Sequence, residues 1–335
     1  MEKDVQFIGQ SSAFFDAVEL AGRAAELNRP ALVIGERGTG KELIAERIHR
    51  LSPRWAGPLI VMNCAALPET LIEAELFGHE AGAFTGAMRA RAGRFEEADG
   101  GTLFLDELGM LSAAAQERLL RAVEYGEVTR IGASRPLRVD VRIIGATNEN
   151  LPAAVEKGRF RADLLDRLAF EVITLPPLRH REGDVPVLAD HFGRRMAAEL
   201  EWPHWPGFTQ EAMAELEAHD WPGNVRELRN VTERAVYRWD DPDRPVARIV
   251  FDPFKSLWGP ALTAGGAIAT EVEPARLPVA ELGLVQDFRA AVEAHEAAIL
   301  KAALERHRYN QRVTAKGLGL TYDQLRHCLR KHGLI

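Results

Sequence analysis

The run Gly35-Glu36-Arg37-Gly38-Thr39-Gly40-Lys41 follows a short apolar stretch and leads into a helical pattern from Glu42 to His49. Glycines at this spacing let backbone N–H groups wrap an oxyanion, a helix N-terminus favours negative charge, and the closing lysine reaches the β- and γ-phosphates of a nucleotide. The next residue is Glu42, where a Ser or Thr would offer Mg²⁺ a hydroxyl, so a metal must lean on water and on an acid elsewhere. Gly101-Thr102-Leu103-Phe104-Leu105-Asp106-Glu107 supplies it, an apolar run closing on two carboxylates. There Asp106 is expected to orient the Mg²⁺ shell and Glu107 to polarise an attacking water, because open parallel sheets bind ligands at the carboxyl ends of their strands. Val141 to Ala146 ends similarly in Thr147-Asn148, polar groups suited to sensing a γ-phosphate. The chemistry these residues point to is hydrolysis of ATP with Mg²⁺.

Such groups need a parallel sheet covered by helices, and the first 176 residues alternate accordingly. Strands are expected at Ala31 to Ile34, Leu59 to Met62, Thr102 to Leu105, Val141 to Ala146 and Val172 to Leu175. Pro176-Pro177 stops the pattern. Residues 184–238 then carry apolar side chains at helical spacing, among them Val185, Leu188, Phe192, Met213 and Leu216. From Asp240 to Leu282 six prolines and Gly265-Gly266 favour a linker. The expected division is an α/β nucleotide-binding unit at 1–176, a helical unit at 177–239, a linker at 240–283 and a helical C-terminal domain at 284–335.

A chain of 335 residues that is 46% hydrophobic and 27% charged has the composition of an ordinary globular protein, which excludes fibrous and mostly disordered classes. The longest apolar stretch, Pro58 to Met62, is far short of a membrane span, and Met1-Glu2-Lys3-Asp4 has no apolar leader, so no membrane insertion and a cytoplasmic location are expected. Cys64 and Cys328 lack the companions of a disulfide framework or zinc site. The charge of −7 is uneven. The last thirty residues hold seven Lys or Arg against one Asp, a basic end of +6 on a body of −13. That split marks an appended nucleic-acid module. Within it, Gln311 to Leu318 and Thr321 to Lys331 read as two helices around Gly319-Leu320, and Thr321 with Gln324 three residues later fits a capping box. Tyr322, Gln324, Arg326 and His327 are expected to face bases or phosphates in a major groove, with Arg330 and Lys331 on phosphates.

The phosphate loop, with Glu after Lys, resembles that of the AAA+ domain of bacterial enhancer-binding proteins, the activators of sigma-54 RNA polymerase. More specific is Glu75-Leu76-Phe77-Gly78-His79-Glu80 followed by Gly82-Ala83-Phe84-Thr85-Gly86-Ala87, which matches the GAFTGA signature of these activators. Phe160-Arg161-Ala162-Asp163-Leu164-Leu165-Asp166-Arg167-Leu168, Leu175-Pro176-Pro177-Leu178-Arg179 and Trp221-Pro222-Gly223-Asn224-Val225-Arg226-Glu227-Leu228 are similar to further family motifs, although His180 and Gly183 depart from the usual residues. The C-terminal helices resemble the family's Fis-type helix-turn-helix, which dimerises through the preceding helix, here Val285 to Arg306.

The resemblance implies an AAA+ fold with a helical lid, upstream activator DNA and sigma-54 RNA polymerase as partners, and self-assembly into a ring, a hexamer. It implies that Arg161 and Arg167 reach a neighbouring subunit's γ-phosphate, that Arg226 is a sensor arginine, and that Asn63 holds Glu107 away from water. It also places residues 82–87 on sigma-54. By their own chemistry, Asp163 and Arg167 could equally form a surface pair at i, i+4, and Phe84 could tuck into the core. With Phe7 already resembling the start of the AAA+ module, control is expected in trans, by a negative regulator such as phage shock protein A. Trp55, in a stretch of loop formers, fits either an exposed anchor for it or packing on its own domain. The alternative class is a AAA+ helicase or DNA-remodelling motor, against which the 82–87 loop offers no Lys or Arg for tracking phosphates.

Overall fold

The computed structural model describes residues 7–84, 86–254, 296–304, 307 and 310–332. They fall in two units divided at Leu257.

In the first unit, β1 (Ala31–Ile34), β2 (Leu59–Asn63), β3 (Thr102–Asp106), β6 (Arg142–Thr147) and β7 (Glu171–Thr174) form one parallel sheet in the order β2-β3-β6-β1-β7. All five strands were expected from the β-branched runs. A short antiparallel hairpin, β4 (Glu127–Val128) with β5 (Leu137–Arg138), was not, since two residues carry no readable period. The strands alternate their side chains between two cores. Leu103 and Leu105 face a cluster with Phe77, Phe95, Leu119 and Leu164, while Phe104 joins Val33, Ile44, Ile48 and Ile173 on the other face. The helices responsible are α1 (Ser12–Ala25) and α2 (Lys41–Arg50) on one side, and on the other α3 (Glu69–Phe77), α4 (Arg94–Glu97), α5 (Ala113–Tyr125), α6 (Leu151–Glu156) and α7 (Ala162–Leu168).

The lid consists of α8 (Asp184–Glu199), α9 (Gln210–Ala218) and α10 (Asn224–Tyr237) around fully buried Trp221 and Leu228, with Phe192 beside them. Trp221 donates its indole N–H to Leu216 O at 2.8 Å, so a large apolar ring is buried without an orphaned donor. The residues that follow Asp240, expected as linker, do not hang free. Residues 240–254 pack on the lid: Val246 is fully buried and Phe251 stacks on His219 with ring centroids 4.5 Å apart. Val246, Ile249 and Phe251, scattered among the prolines, bury enough apolar surface to hold this segment down.

In the second unit, residues 296–304 are helical (α11) and are followed by α12 (Gln311–Gly317) and α13 (Tyr322–Lys331), packed through Leu300, Leu304, Ala315, Leu325 and Leu329. The capping box forms as expected. Thr321 Oγ1 accepts from Gln324 N at 3.2 Å, and Gln324 Oε1 accepts from Thr321 N at 2.8 Å. The remainder of the expected dimerising helix Val285 to Arg306, and most of the expected linker, lie outside the described residues.

Candidate nucleotide site and partner loop

Register alone brings the phosphate loop to the acids. Ile34 pairs with Thr147 and Asn63 with Asp106, so β1, β2, β3 and β6 end at one edge. Gly35 N donates to Thr147 O at 3.2 Å, and Gly40, at φ 100°, turns the chain into α2. Lys41 is buried, and its Nζ donates to Gly35 O at 2.9 Å and Glu36 O at 3.2 Å. Burial lowers its pKa, opposed by the charges of Glu107 and Asp106. Burial, helped by the charges of the same two carboxylates, pushes the Cys64 thiol up to about 12, which leaves it inert.

Glu107 sits one residue past β3 at φ 53°, a conformation costly for a non-glycine residue and concentrated at functional sites. Its Oε1 lies 3.7 Å from Arg37 Nε. The hydrogen-bond pattern orients the Asn148 amide so that its nitrogen donates to Glu107 Oε2 at 2.9 Å and its oxygen accepts from Arg37 Nε at 3.3 Å. The expected Asn63–Glu107 contact is therefore corrected. Asn63 Nδ2 donates instead to Asp106 Oδ2 at 3.3 Å, because strand register sets those two side by side, while the left-handed turn swings Glu107 towards Asn148.

This arrangement fits a nucleotide and its metal. Gly38 and Gly40 hold left-handed conformations that keep the loop open to an anion, and α2 presents its N-terminus behind them. Among the described residues no group of three or more His, Cys, Asp or Glu could hold a metal by itself. Two adjacent acids suit Mg²⁺, which binds through one or two carboxylates and completes its shell with phosphates and water.

The lid closes on the back of the loop. A Cβ on Gly38 would stand 2.3 Å from Gly223 O and 3.1 Å from Arg226 Cβ, which puts the expected sensor arginine beside the phosphate loop. The sequence reading passed over Arg179, Arg181 and Asn224 as site residues. Arg179 holds the Glu36 carboxylate at 2.8 and 2.5 Å, and this bond, with one from Asn224, brings Glu36 down to about 2. The motifs containing Arg179 and Asn224 were visible in sequence and Arg181 lay in none, but the partners of all three lie more than 140 residues away.

Arg161 and Arg167 do not join this cluster within one chain. Arg161 pairs with Asp163 at 2.7 Å and Arg167 with Glu124 at 2.8 Å, both at the surface. The i, i+4 pair between Asp163 and Arg167 is thus not formed.

The 82–87 loop stands apart from the phosphate site. Gly82 N donates to Ala87 O at 2.7 Å and Ala87 N to Phe84 O at 3.0 Å, closing a tight loop, and Gly82 and Gly86 take φ 81° and 104° in open space. Phe84 is 40% exposed and rests edge-on against His79, not in the core. Thr85 lies outside the described residues. The loop's base is anchored by Arg130, which bonds Glu80 at 3.1 Å and Glu96 at 2.6 Å, a node linking the loop, the hairpin segment and α4 that the sequence did not reveal. Trp55 is 68% exposed, so packing on its own domain is not its role.

On α13, Tyr322, Gln324, Arg326, His327, Arg330 and Lys331 are all exposed. Three are partly engaged: Tyr322 Oη donates to Gln311 Oε1 at 3.4 Å, Gln324 lies in the capping box, and Lys331 pairs with Glu296 at 2.9 Å.

Comparison with known proteins accords with this geometry. A model of the sigma-54 interaction domain matches residues 7–174, the AAA+ ATPase lid domain 179–243, and the bacterial regulatory proteins of the Fis family 291–332. The chain belongs to the sigma-54-dependent transcription activators. It is 51% identical to the Psp operon transcriptional activator of Escherichia coli K12, over 97% of both chains. It is also 45% identical to the Nif-specific regulatory protein of Azotobacter vinelandii, over 90% of this chain and 54% of that one. Among solved structures, NtrX from Brucella abortus in complex with ADP superposes with a TM-score of 0.71 at 32% identity, over 99% of this chain and 70% of that one. The protein is therefore a nucleotide-binding P-loop ATPase of this family with a Fis-type DNA-binding end. No helix among the described residues is long and apolar enough to cross a membrane.

Proposed function

We propose that the chain couples ATP hydrolysis to remodelling of the sigma-54 RNA polymerase closed complex at phage-shock, or envelope-stress, promoters, bound to upstream DNA through α13. The observation that carries this reading is the separation of the Phe84 loop from the phosphate site: one holds charges, the other offers an exposed aromatic between two glycines in open space. ATP supplies the scissile phosphoanhydride, and Mg²⁺ neutralises charge on its phosphates. The backbone of Gly35 to Glu42 cradles the phosphates, Lys41 turns from the loop carbonyls towards them, and Asp106, steadied by Asn63, orients the metal's water shell. Glu107 positions and polarises the attacking water once Asn148 releases it; Thr147 and Asn148 then report the γ-phosphate from the end of β6, and Arg226 reports it from the lid.

Arg161 and Arg167 act on a neighbouring subunit, in a ring of six. A cation delivered only on assembly stabilises transition-state charge and makes turnover depend on oligomerisation. Their exposure supports this: Arg167 holds one carboxylate oxygen of Glu124, and Arg161, bidentate on Asp163, still pairs with a carboxylate open to water. Residues 82–87 contact sigma-54, Trp55 offers an aromatic anchor to a negative regulator such as phage shock protein A, and the protein acts in the cytoplasm. The testing experiment is transcription with purified components: open complexes on a sigma-54 promoter that require this chain and hydrolysable ATP are expected, and their absence would overturn the reading.

A further inference from the structure

The carbonyl side of the phosphate loop is held by the lid. Asn224 Nδ2 donates to Arg37 O at 3.0 Å and to Glu36 Oε2 at 3.1 Å, while its Oδ1 accepts from Leu178 N at 2.7 Å. Arg181 Nη2 donates to Thr39 O at 3.0 Å. Arg179 grips the Glu36 carboxylate with both terminal nitrogens, a planar and specific contact. Asn224 is fully buried at φ 53°, a conformation that persists where surrounding bonds over-determine it. A peptide unit is planar with its N–H and C=O on opposite sides, so fixing a loop's carbonyls also sets where its N–H groups point. Those N–H groups are what a phosphate binds.

We infer that Glu36, Arg179 and Asn224 form a latch through which occupation of the phosphate loop sets the lid's position, and the lid sets the loop's affinity. It rests on the nucleotide reading of that loop. Its two parts differ in kind. Asn224 is a buried pivot; Glu36 and Arg179 have side chains 42% and 38% exposed, so this pair opens into water without stranding a buried charge. Coupling of this sort is reciprocal by thermodynamic necessity. Glu36 and Arg179 are positioning residues, acting through the loop backbone and the lid.

The test uses the full chain, with ADP as probe, and compares Glu36→Gln, Arg179→Gln and the double variant. ADP affinity is read by calorimetry, and amide exchange is followed in residues 35–41 and 224–228. In the unaltered chain ADP protects both segments. Each single variant weakens ADP by about fivefold or more, the lower end of usual coupling between sites. Each also loses ADP-dependent protection at 224–228 while keeping it at 35–41, and Arg179→Lys recovers part of both. The double variant is no weaker than the worse single, because the two side chains act as a unit. Melting temperatures move by no more than about 3 °C, as for a surface ion pair. If the unaltered chain binds no ADP, the nucleotide reading and the latch fall together. If it binds, and the single variants match it in affinity and in protection, or the double variant is additive, the latch alone is overturned.

Discussion

The end of β3 and the Phe84 loop are built in opposite ways. Around Asp106 and Glu107 each functional group has a partner: Asn63 on Asp106, Asn148 and Arg37 on Glu107, and the loop carbonyls on Lys41. The Phe84 loop closes on its own backbone and buries Ala87, but its aromatic rests edge-on against His79 between two glycines with nothing near them, above the anchored Arg130. The first arrangement spends hydrogen bonds on holding charge where a phosphate will come, which is how preorganised sites lower barriers. The second leaves Phe84 exposed on a small-residue loop, which on the proposed function is the aromatic offered to a partner. On the proposed function, chemistry and its transmission belong to separate regions, and each should break without the other.

The largest effect is expected at Arg167. Replacing it with Ala removes the pair with Glu124 and lowers turnover by about 10³-fold or more, as for arginines supplied in trans, while nucleotide binding persists. Mixing that variant with Lys41→Ala should restore part of the rate through hybrid interfaces; confirmed mixed rings with no activity would place the arginine's action elsewhere. Next is Asp106→Ala, expected to cut steady-state hydrolysis by about 10²- to 10³-fold, with promoter opening lost in proportion. Wild-type turnover in that variant would remove the acid from the site. Gly38→Ala adds a Cβ 2.3 Å from Gly223 O at φ 79°, so the lid must shift, and ADP affinity should fall by about tenfold in titration. The smallest effect is at Thr321→Ala, which removes the α13 cap at about 1 kcal/mol and should lower the melting of the DNA-binding end and its DNA affinity modestly, with ATPase unchanged.

Much of the catalytic side was legible because it is local. A glycine-rich loop between strand and helix, and acids ending an apolar run, announce their positions by spacing, and a parallel sheet brings them to one edge. The Thr321 capping box was readable for the same reason. What sequence left hidden depends on distant partners or one dihedral angle. Asn63 was expected on Glu107, and only the Asn63–Asp106 register with the left-handed turn at Glu107 shows otherwise. Arg179 and Asn224 sit in recognisable motifs, but their hold on Glu36 appears only once the lid has folded back. The packing of residues 240–254 on the lid was masked by a proline-rich composition.

The separation of chemistry from transmission is tested most directly by Phe84→Ala, with ATPase rate, melting temperature and sigma-54 open-complex yield measured on one preparation. Phe84 is 40% exposed and outside the hydrogen-bond network of Asp106 and Glu107. Its truncation should leave turnover within about twofold and melting within about 2 °C, the range of a surface substitution, while open complexes disappear. Full promoter opening by this variant, or a loss of opening that merely follows a loss of ATPase activity, would contradict the account.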